Sequence, residues 1–294
     1  MLRLLTKTTV LGMALSVLSA GCTPIERGPL IGEAGEVYEI TVVSTSESER
    51  SDGSGSANSR YGFVETIIAR ERGGTVIEYD LPFGTSEQER EREWQFPARV
   101  LQGVDGSLSL LNADDLNARL ETWLQAAEID RSLCGTWFFT WNAFKVECDV
   151  ETVLDTVAAV NVRHPTIGEG VMYKDPAAAV AGPLTATDTP ETLRVVGSLN
   201  ADGYRQDEAE GKRALAQILG VQPPTLEDAI AAQADDEITG SITTTFTLGE
   251  DGQVSSRVRR IEIAVTYPDG TFERRTTTET LTRRRVTAAR READ

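Results

Sequence analysis

Glu237-Ile238-Thr239-Gly240-Ser241-Ile242-Thr243-Thr244-Thr245-Phe246-Thr247-Leu248 decides the fold. Ile238, Gly240, Ile242, Thr244, Phe246 and Leu248 keep one parity, the mark of a strand with one face turned to a core. Glu250-Asp251-Gly252 turns the chain, Val254 to Tyr267 returns, Pro268-Asp269-Gly270 turns it again, and Thr271 to Val286 gives a third strand. The spacing predicts an antiparallel meander. Its apolar parity flips between Val258 and Ile261, which predicts a bulge near Arg259-Arg260.

The other end of the chain carries a second meander. Tyr38, Ile40 and Val42 alternate with polar neighbours. Tyr61 to Arg70 and Thr75 to Leu81 form a hairpin around Gly73-Gly74, where positive φ is needed. Between them, Ser44 to Ser59 is serine-rich and reads as a flexible loop, too polar to pack. Thr85 to Glu93 is a charged run. Beyond it Trp94, Phe96 and Val100 suggest a strand that Pro97 would place at a sheet edge, and Asp105-Gly106 turns the chain into Ser107 to Leu111.

Helical signals fill the middle. Asn112 is an N-cap candidate, with Asp114 and Asp115 in the first turn and Leu116, Leu120, Trp123, Leu124 and Ala127 on one face. Asp149 opens a second stripe of Val150, Val153, Leu154, Val157 and Val160. From His164 to Pro190 the signals are weak: the stretch is a linker or a long loop wrapped on the core. Leu193 to Leu199 reads as a strand, Ala209 to Leu219 as a helix ending at Gly220, and Leu226 to Ala234 as a shorter helix. The expected fold class is α+β, with antiparallel sheet meanders at both ends and helices in the middle packed on one face.

The whole chain of 294 residues is 40% hydrophobic, enough for a core, and carries a net charge of −17. That acidity excludes a nucleic-acid partner, whose phosphates need a basic surface. The charge is uneven: Arg257 to Asp294 holds ten arginines against six acids. A solvated strand surface facing an acidic body, or a docking surface, accounts for it.

At the N-terminus, Arg3 and Lys7 precede the short apolar run Val10 to Leu18, and Leu18-Ser19-Ala20-Gly21-Cys22 follows. The run falls short of the ~20 apolar residues of a membrane-spanning helix and reads as a secretion signal. The small residues before the thiol resemble the lipobox of bacterial lipoproteins, with Ser19 where leucine is commonest. The resemblance covers these residues alone. It implies cleavage before Cys22, lipidation of its thiol, and attachment to a membrane through that lipid. Thr23 stands where an aspartate retains enteric lipoproteins at the inner membrane, so the family rule points to the outer membrane, facing the periplasm. Residues 1–21 are then the signal peptide, 22–35 a tether rich in glycine and proline, and 36–294 one α+β domain, with a subdivision near 164–190 as the alternative.

Cys134 and Cys148 remain as an even pair in an exported chain, most simply a disulfide. With His164 the single histidine, no zinc set is expected, nor any cofactor. Hydrolase, phosphate-loop and dinucleotide motifs are absent from the sequence, so no catalytic residues are assigned. Asn200-Ala201-Asp202-Gly203-Tyr204 has the spacing of a calcium loop's centre, but Ser198 and Ala209 occupy its end positions, and an acidic turn before a helix is the better reading. Between the cysteines lie five of the eighteen aromatic residues. They belong either to a core strand pinned on the preceding helix or to a ligand groove, walled by Trp137, Phe139 and Trp141 with Trp123 opposite.

Three functions stay open. The favoured one is a non-enzymatic binding or envelope-support module with an envelope protein or a lipid as partner. The others are a carrier of apolar ligands and a hydrolase without a recognisable motif. The N-terminal reading is directly testable. Cys22→Ser should leave the precursor uncut and unlabelled by radioactive fatty acid, and unchanged labelling would refute it.

Overall fold

The computed structural model of the chain describes residues 33–139, 143–163 and 167–286. Cys22, Trp141 and His164 lie outside them. The chain begins with β1 (Val37–Arg50), β2 (Gly53–Glu71) and β3 (Gly74–Asp80). Then come α1 (Glu87–Arg92), β4 (Ala98–Gly103), β5 (Leu108–Leu110) and α2 (Ala113–Ala126). A small hairpin of β6 (Trp137–Phe139) and β7 (Ala143–Lys145) precedes α3 (Val153–Val160). Short strands β8 (Met172–Tyr173), β9 (Gly182–Pro183) and β10 (Thr185–Ala186) lead to β11 (Thr192–Ser198), α4 (Ala201–Ile218) and α5 (Leu226–Ala231). The chain closes its sheet with β12 (Glu237–Leu248), β13 (Val254–Thr266) and β14 (Phe272–Arg285).

The two meanders are parts of one ten-stranded antiparallel sheet, in the order β10-β11-β12-β13-β14-β1-β2-β3-β4-β5. β14 joins them by pairing with β1 from Tyr38↔Arg285 to Arg50↔Glu273. Antiparallel partners share a face, so the register sorts the side chains into rows. Phe246, Arg257, Leu281, Val42 and Tyr61 form one row across β12, β13, β14, β1 and β2. On the opposite face runs Thr245, Val258, Thr280 and Val43. Leu281 and Val42 are at most 1% exposed, whereas Val258 and Val43 are 37% and 39% exposed. The first face therefore bears the core. Leu116, Leu120 and Leu124 of α2 and Val153, Val157 and Val160 of α3 belong to the same buried cluster as Ile40, Ile77, Val100 and Leu281. Burying each such side chain contributes about 1.5–3 kcal/mol.

Three expectations need correction. Ser44 to Ser59 is not a loop: β1 and β2 continue through it, paired residue by residue to Arg50↔Gly53. Backbone ladders do not require apolar side chains, and β14 braces the other side of β1 with Ser46 Oγ 3.3 Å from Thr277 Oγ1. No bulge interrupts β13 at Arg259-Arg260; its pairing runs unbroken from Val258↔Thr245 to Ile261↔Ile242. The register shift falls earlier, between Val254 and Ser256 opposite Leu248 and Thr247; beyond it the strand keeps its parity and turns Arg257 and Arg259 inward. Nor is β4 an edge strand, since it lies between β3 and β5, and Pro97 stands just before it. The charged run 85–93 contains α1, started by a capping box between Ser86 and Glu89. Asn200 accepts from the Gly203 N–H at 3.2 Å and caps α4, so the calcium-like stretch is that helix's first turn.

The deepest polar group is Glu65, fully buried on β2. Its Oε1 accepts from Arg163 Nε at 2.8 Å and from Arg283 Nε and Nη2 at 3.2 and 3.0 Å, and its Oε2 accepts from the Tyr79 hydroxyl at 3.4 Å. The Arg283 guanidinium lies 3.3 Å from the centre of the Tyr38 ring. Burial pushes the Glu65 carboxyl upward, but the two guanidiniums outweigh it and hold the group below the ordinary 4.5. A depressed carboxylate stabilises the fold in full above its unfolded value, and the contribution is lost as pH falls through the folded one. Glu65→Ala should cost about 3–5 kcal/mol, because it strands two buried cations. In urea titrations from pH 7 down to pH 3, the wild type should lose stability more steeply than Glu65→Gln; parallel curves would contradict the assignment.

Candidate functional site

A cleft of about 510 Å3 opens on the core-bearing face of the sheet. Its floor is built by register. Phe246 pairs with Arg257 and Thr244 with Arg259, while Arg259 pairs with Glu279 on β14, so all five side chains share a face. One wall is the C-terminal half of α3 with Ala158 and Ala159; the other is the segment carrying Ile167, Val171, Tyr173 and Asp175. That segment is tied down by the β8–β9 pairing and by Leu184 N–H donating to Val171 O at 2.8 Å. The Tyr173 ring meets the Phe246 ring edge-on at 5.0 Å.

Asp175, Arg259, Thr244, Arg257 and Glu279 are engaged in hydrogen bonds and ion pairs at the cleft. Arg259 grips Asp175 with both Nε and Nη2 at 2.7 Å, and Thr244 donates to the same carboxylate at 3.2 Å. Burial raises the Asp175 carboxyl, yet the Arg259 fork brings it below the ordinary carboxylate value. The Tyr173 hydroxyl is pushed up by burial and by the Asp175 charge. Arg257 donates through Nη2 to Ala159 O at 2.8 Å and to Glu279 Oε1 at 2.7 Å. Its Nε is buried and has no hydrogen-bond partner among the described residues. Clamped carboxylates of this kind are held ionised, which suits charge positioning rather than proton transfer. The rest of the lining combines the apolar side chains of Val162, Ile167, Val171, Leu184 and Phe246 with Asp155, Asn161 and Lys174.

Of the aromatic residues singled out between the cysteines, Trp137 and Phe139 are described, and neither lines this cleft. Trp123 and Trp137 are half-buried, and Phe139 is 62% exposed. In the β6–β7 hairpin the ring contact is Phe138 with Phe144, stacked at 5.9 Å. The hairpin has an exposed side at Phe139 and Phe144, while Phe138 packs against the core cluster. Its base is fixed by Gly135 N–H to Val146 O at 2.7 Å and by the Cys134–Cys148 disulfide. Arg257, Arg259, Asp175 and Glu279 escaped the sequence reading, although their signal was present. The parity flip at Val258 is the place where inward positions of a strand carry arginine instead of an apolar residue.

The chain matches no family model and no curated protein.

The disulfide spans a sequence separation of 14, so a Cys134→Ser, Cys148→Ser double variant should lose about 3 kcal/mol on the chain-entropy account. Thermal unfolding checks it, and non-reducing peptide mapping of the wild type should recover the two cysteine peptides linked.

Proposed function

We propose that the chain is a lipid-anchored protein of the bacterial cell envelope, held at the outer membrane and facing the periplasm, that works by binding rather than by catalysis. The helices are proposed to cover the core-bearing face of the sheet, with the ligand cleft between them and that face. In support, α2 and α3 share the buried cluster of the sheet. Glu208 of α4 also pairs with Arg275, which has the parity of Leu281, at 3.3 Å.

The observation that carries the binding role is the pairing pattern of the cleft. Asp175 is saturated by Arg259, Thr244 and the Ala177 N–H, and Val162, Ile167, Val171 and Leu184 give the walls a large apolar share beside Lys174, Asp155 and Asn161. A pocket with an apolar lining and a few fixed polar groups is the usual form of a small-molecule site. The lipobox supports the location, and the Cys134–Cys148 bond suits an oxidising compartment. Among the open readings this favours a ligand-binding lipoprotein, with the carrier of apolar ligands as its nearest variant.

Native purification of the full-length protein from envelopes, followed by mass spectrometry, tests the role. A co-purifying small molecule should be present with the wild type and depleted with Ala159→Trp, which fills the cleft from an exposed position on α3. Equal recovery from both, or none from either, would overturn the proposal.

A further inference from the structure

We propose that the free flank of β2, from Gly55 to Tyr61, pairs antiparallel with the same flank of a second copy of this chain. The two sheets then continue into one across a two-fold axis at Asn58. The inference concerns the sheet and does not depend on the cleft.

The flank is an open edge inside the strand order. β1 pairs with β2 from Val37↔Thr66 to Arg50↔Gly53, whereas β3 pairs with it only from Val64 to Glu71. β2 therefore outruns its second neighbour, and Gly53 to Tyr61 are all exposed. Alternate residues of such a stretch turn their N–H and C=O groups away from the paired strand, here toward solvent. Among the described residues, Gly53 to Arg60 have no hydrogen-bond partner outside β1.

The other free flanks are closed. The sheet ends in β10 and β5, of two and three residues. β11 outruns β10, but the Ala179 N–H donates to Ser198 O at 3.0 Å and covers it. β4 outruns β5, but the Leu111 N–H donates to Arg99 O and Asn112 Oδ1 accepts from the Arg99 N–H, both at 2.8 Å. Short or covered edges are how folded sheets avoid pairing with other chains. Gly55 to Tyr61 has neither protection, and no proline, lysine or bulge interrupts it. Its glycine, serine and alanine leave the main chain open to a facing strand.

The charges select a second copy as that strand. Glu47 pairs with Ser56 and Arg60 with Val43, so all four side chains share the outer face. Glu47 and Arg60 are exposed, and neither has an ion-pair partner among the described residues. Within one copy they stand about 13 Å apart along the strands, too far to meet. With Asn58 facing Asn58, Arg60 of one copy stands opposite Ser56 of the other, and Ser56 lies beside Glu47. The guanidinium then passes over a short serine to a carboxylate two strand spacings away, about 10 Å between Cα atoms. The axis makes this contact twice. Seven facing residues add about six to eight main-chain hydrogen bonds.

The test uses the full-length chain in its own cells, with one exposed residue replaced by cysteine and a membrane-permeant oxidant added. Asn58→Cys should give a species of twice the chain's mass on non-reducing gels. Ser54→Cys should not, because its two thiols would lie about 26 Å apart, and Glu87→Cys on α1 reports random collision. Arg60→Glu opposes like charges at both symmetric contacts and should lower the Asn58→Cys dimer about fivefold. Adding Glu47→Arg to that variant should restore it, which a misfolded chain would not do. Equal yields at the three cysteine positions, no dimer from Asn58→Cys, or a cross-link to a different protein would overturn the proposal. So would an Arg60→Glu variant that dimerises like its parent.

Discussion

Everything in this molecule leans on one carboxylate shared by two arginines. Glu65 on β2 is fully buried, and Arg163 and Arg283 converge on the same oxygen from chain segments far apart in sequence. A carboxylate without cations would not stay ionised there, and two guanidiniums without the carboxylate would repel. The arrangement therefore specifies which segments meet. It fixes β14 against β2 across β1, and it fixes the chain leaving α3 against the sheet. Gln102 on β4 donates to Arg163 O and extends the hold to a fourth segment.

The cleft inherits its shape from that hold. Arg163 borders the cleft as well as the buried cluster, so the wall formed by α3 and the residues after it is set by the same electrostatics that close the core. Downstream, the arginines of β13 and β14 repeat the device in milder form. Arg257 pairs with Glu279, Arg259 with Asp175 and Arg275 with Glu208. Part of the basic excess of the C-terminal strands is thus paired inward with Asp175, Glu208 and Glu65, while the outer face mixes threonine and valine with exposed pairs such as Arg260–Glu262 and Arg274–Glu49. The cleft and the core share one material here, which is buried or half-buried arginine paired with carboxylates.

Much of the sheet was legible because burial alternates along its strands. Ile238 to Leu248 and Tyr38 to Val42 announce their faces, and the leucine stripe of α2 does the same at helical spacing. What resisted was of two kinds. Ser44 to Ser59 has the composition of a loop, yet main-chain pairing on both sides of β1 makes it strand; side-chain chemistry carries no trace of that. The inward arginines of β13 give the apolar pattern of a bulge at Arg259-Arg260, because a rule that equates inside with apolar treats a buried ion pair as an interruption. The disulfide followed from counting cysteines. The aromatic hairpin did not follow from its composition, since five aromatic residues in a short span suit a core and a surface equally.

The pairing of β1 with β14 sets the order in which the molecule can be completed. The first strand of the sheet has its ladder on one side within the N-terminal hairpin, but its other side waits for residues more than two hundred positions later, as Thr41↔Thr282 and Ser46↔Thr277 illustrate. A chain that emerges N-terminus first, whether from a ribosome or through a membrane pore, presents β1 with one open edge for the entire interval. Contacts of such long range also make folding slow. Maturation is therefore gated by arrival of the last strand. The serine-rich, charged outer reaches of β1 and β2 serve that wait, since an edge of this composition gives passing chains little apolar surface to hold.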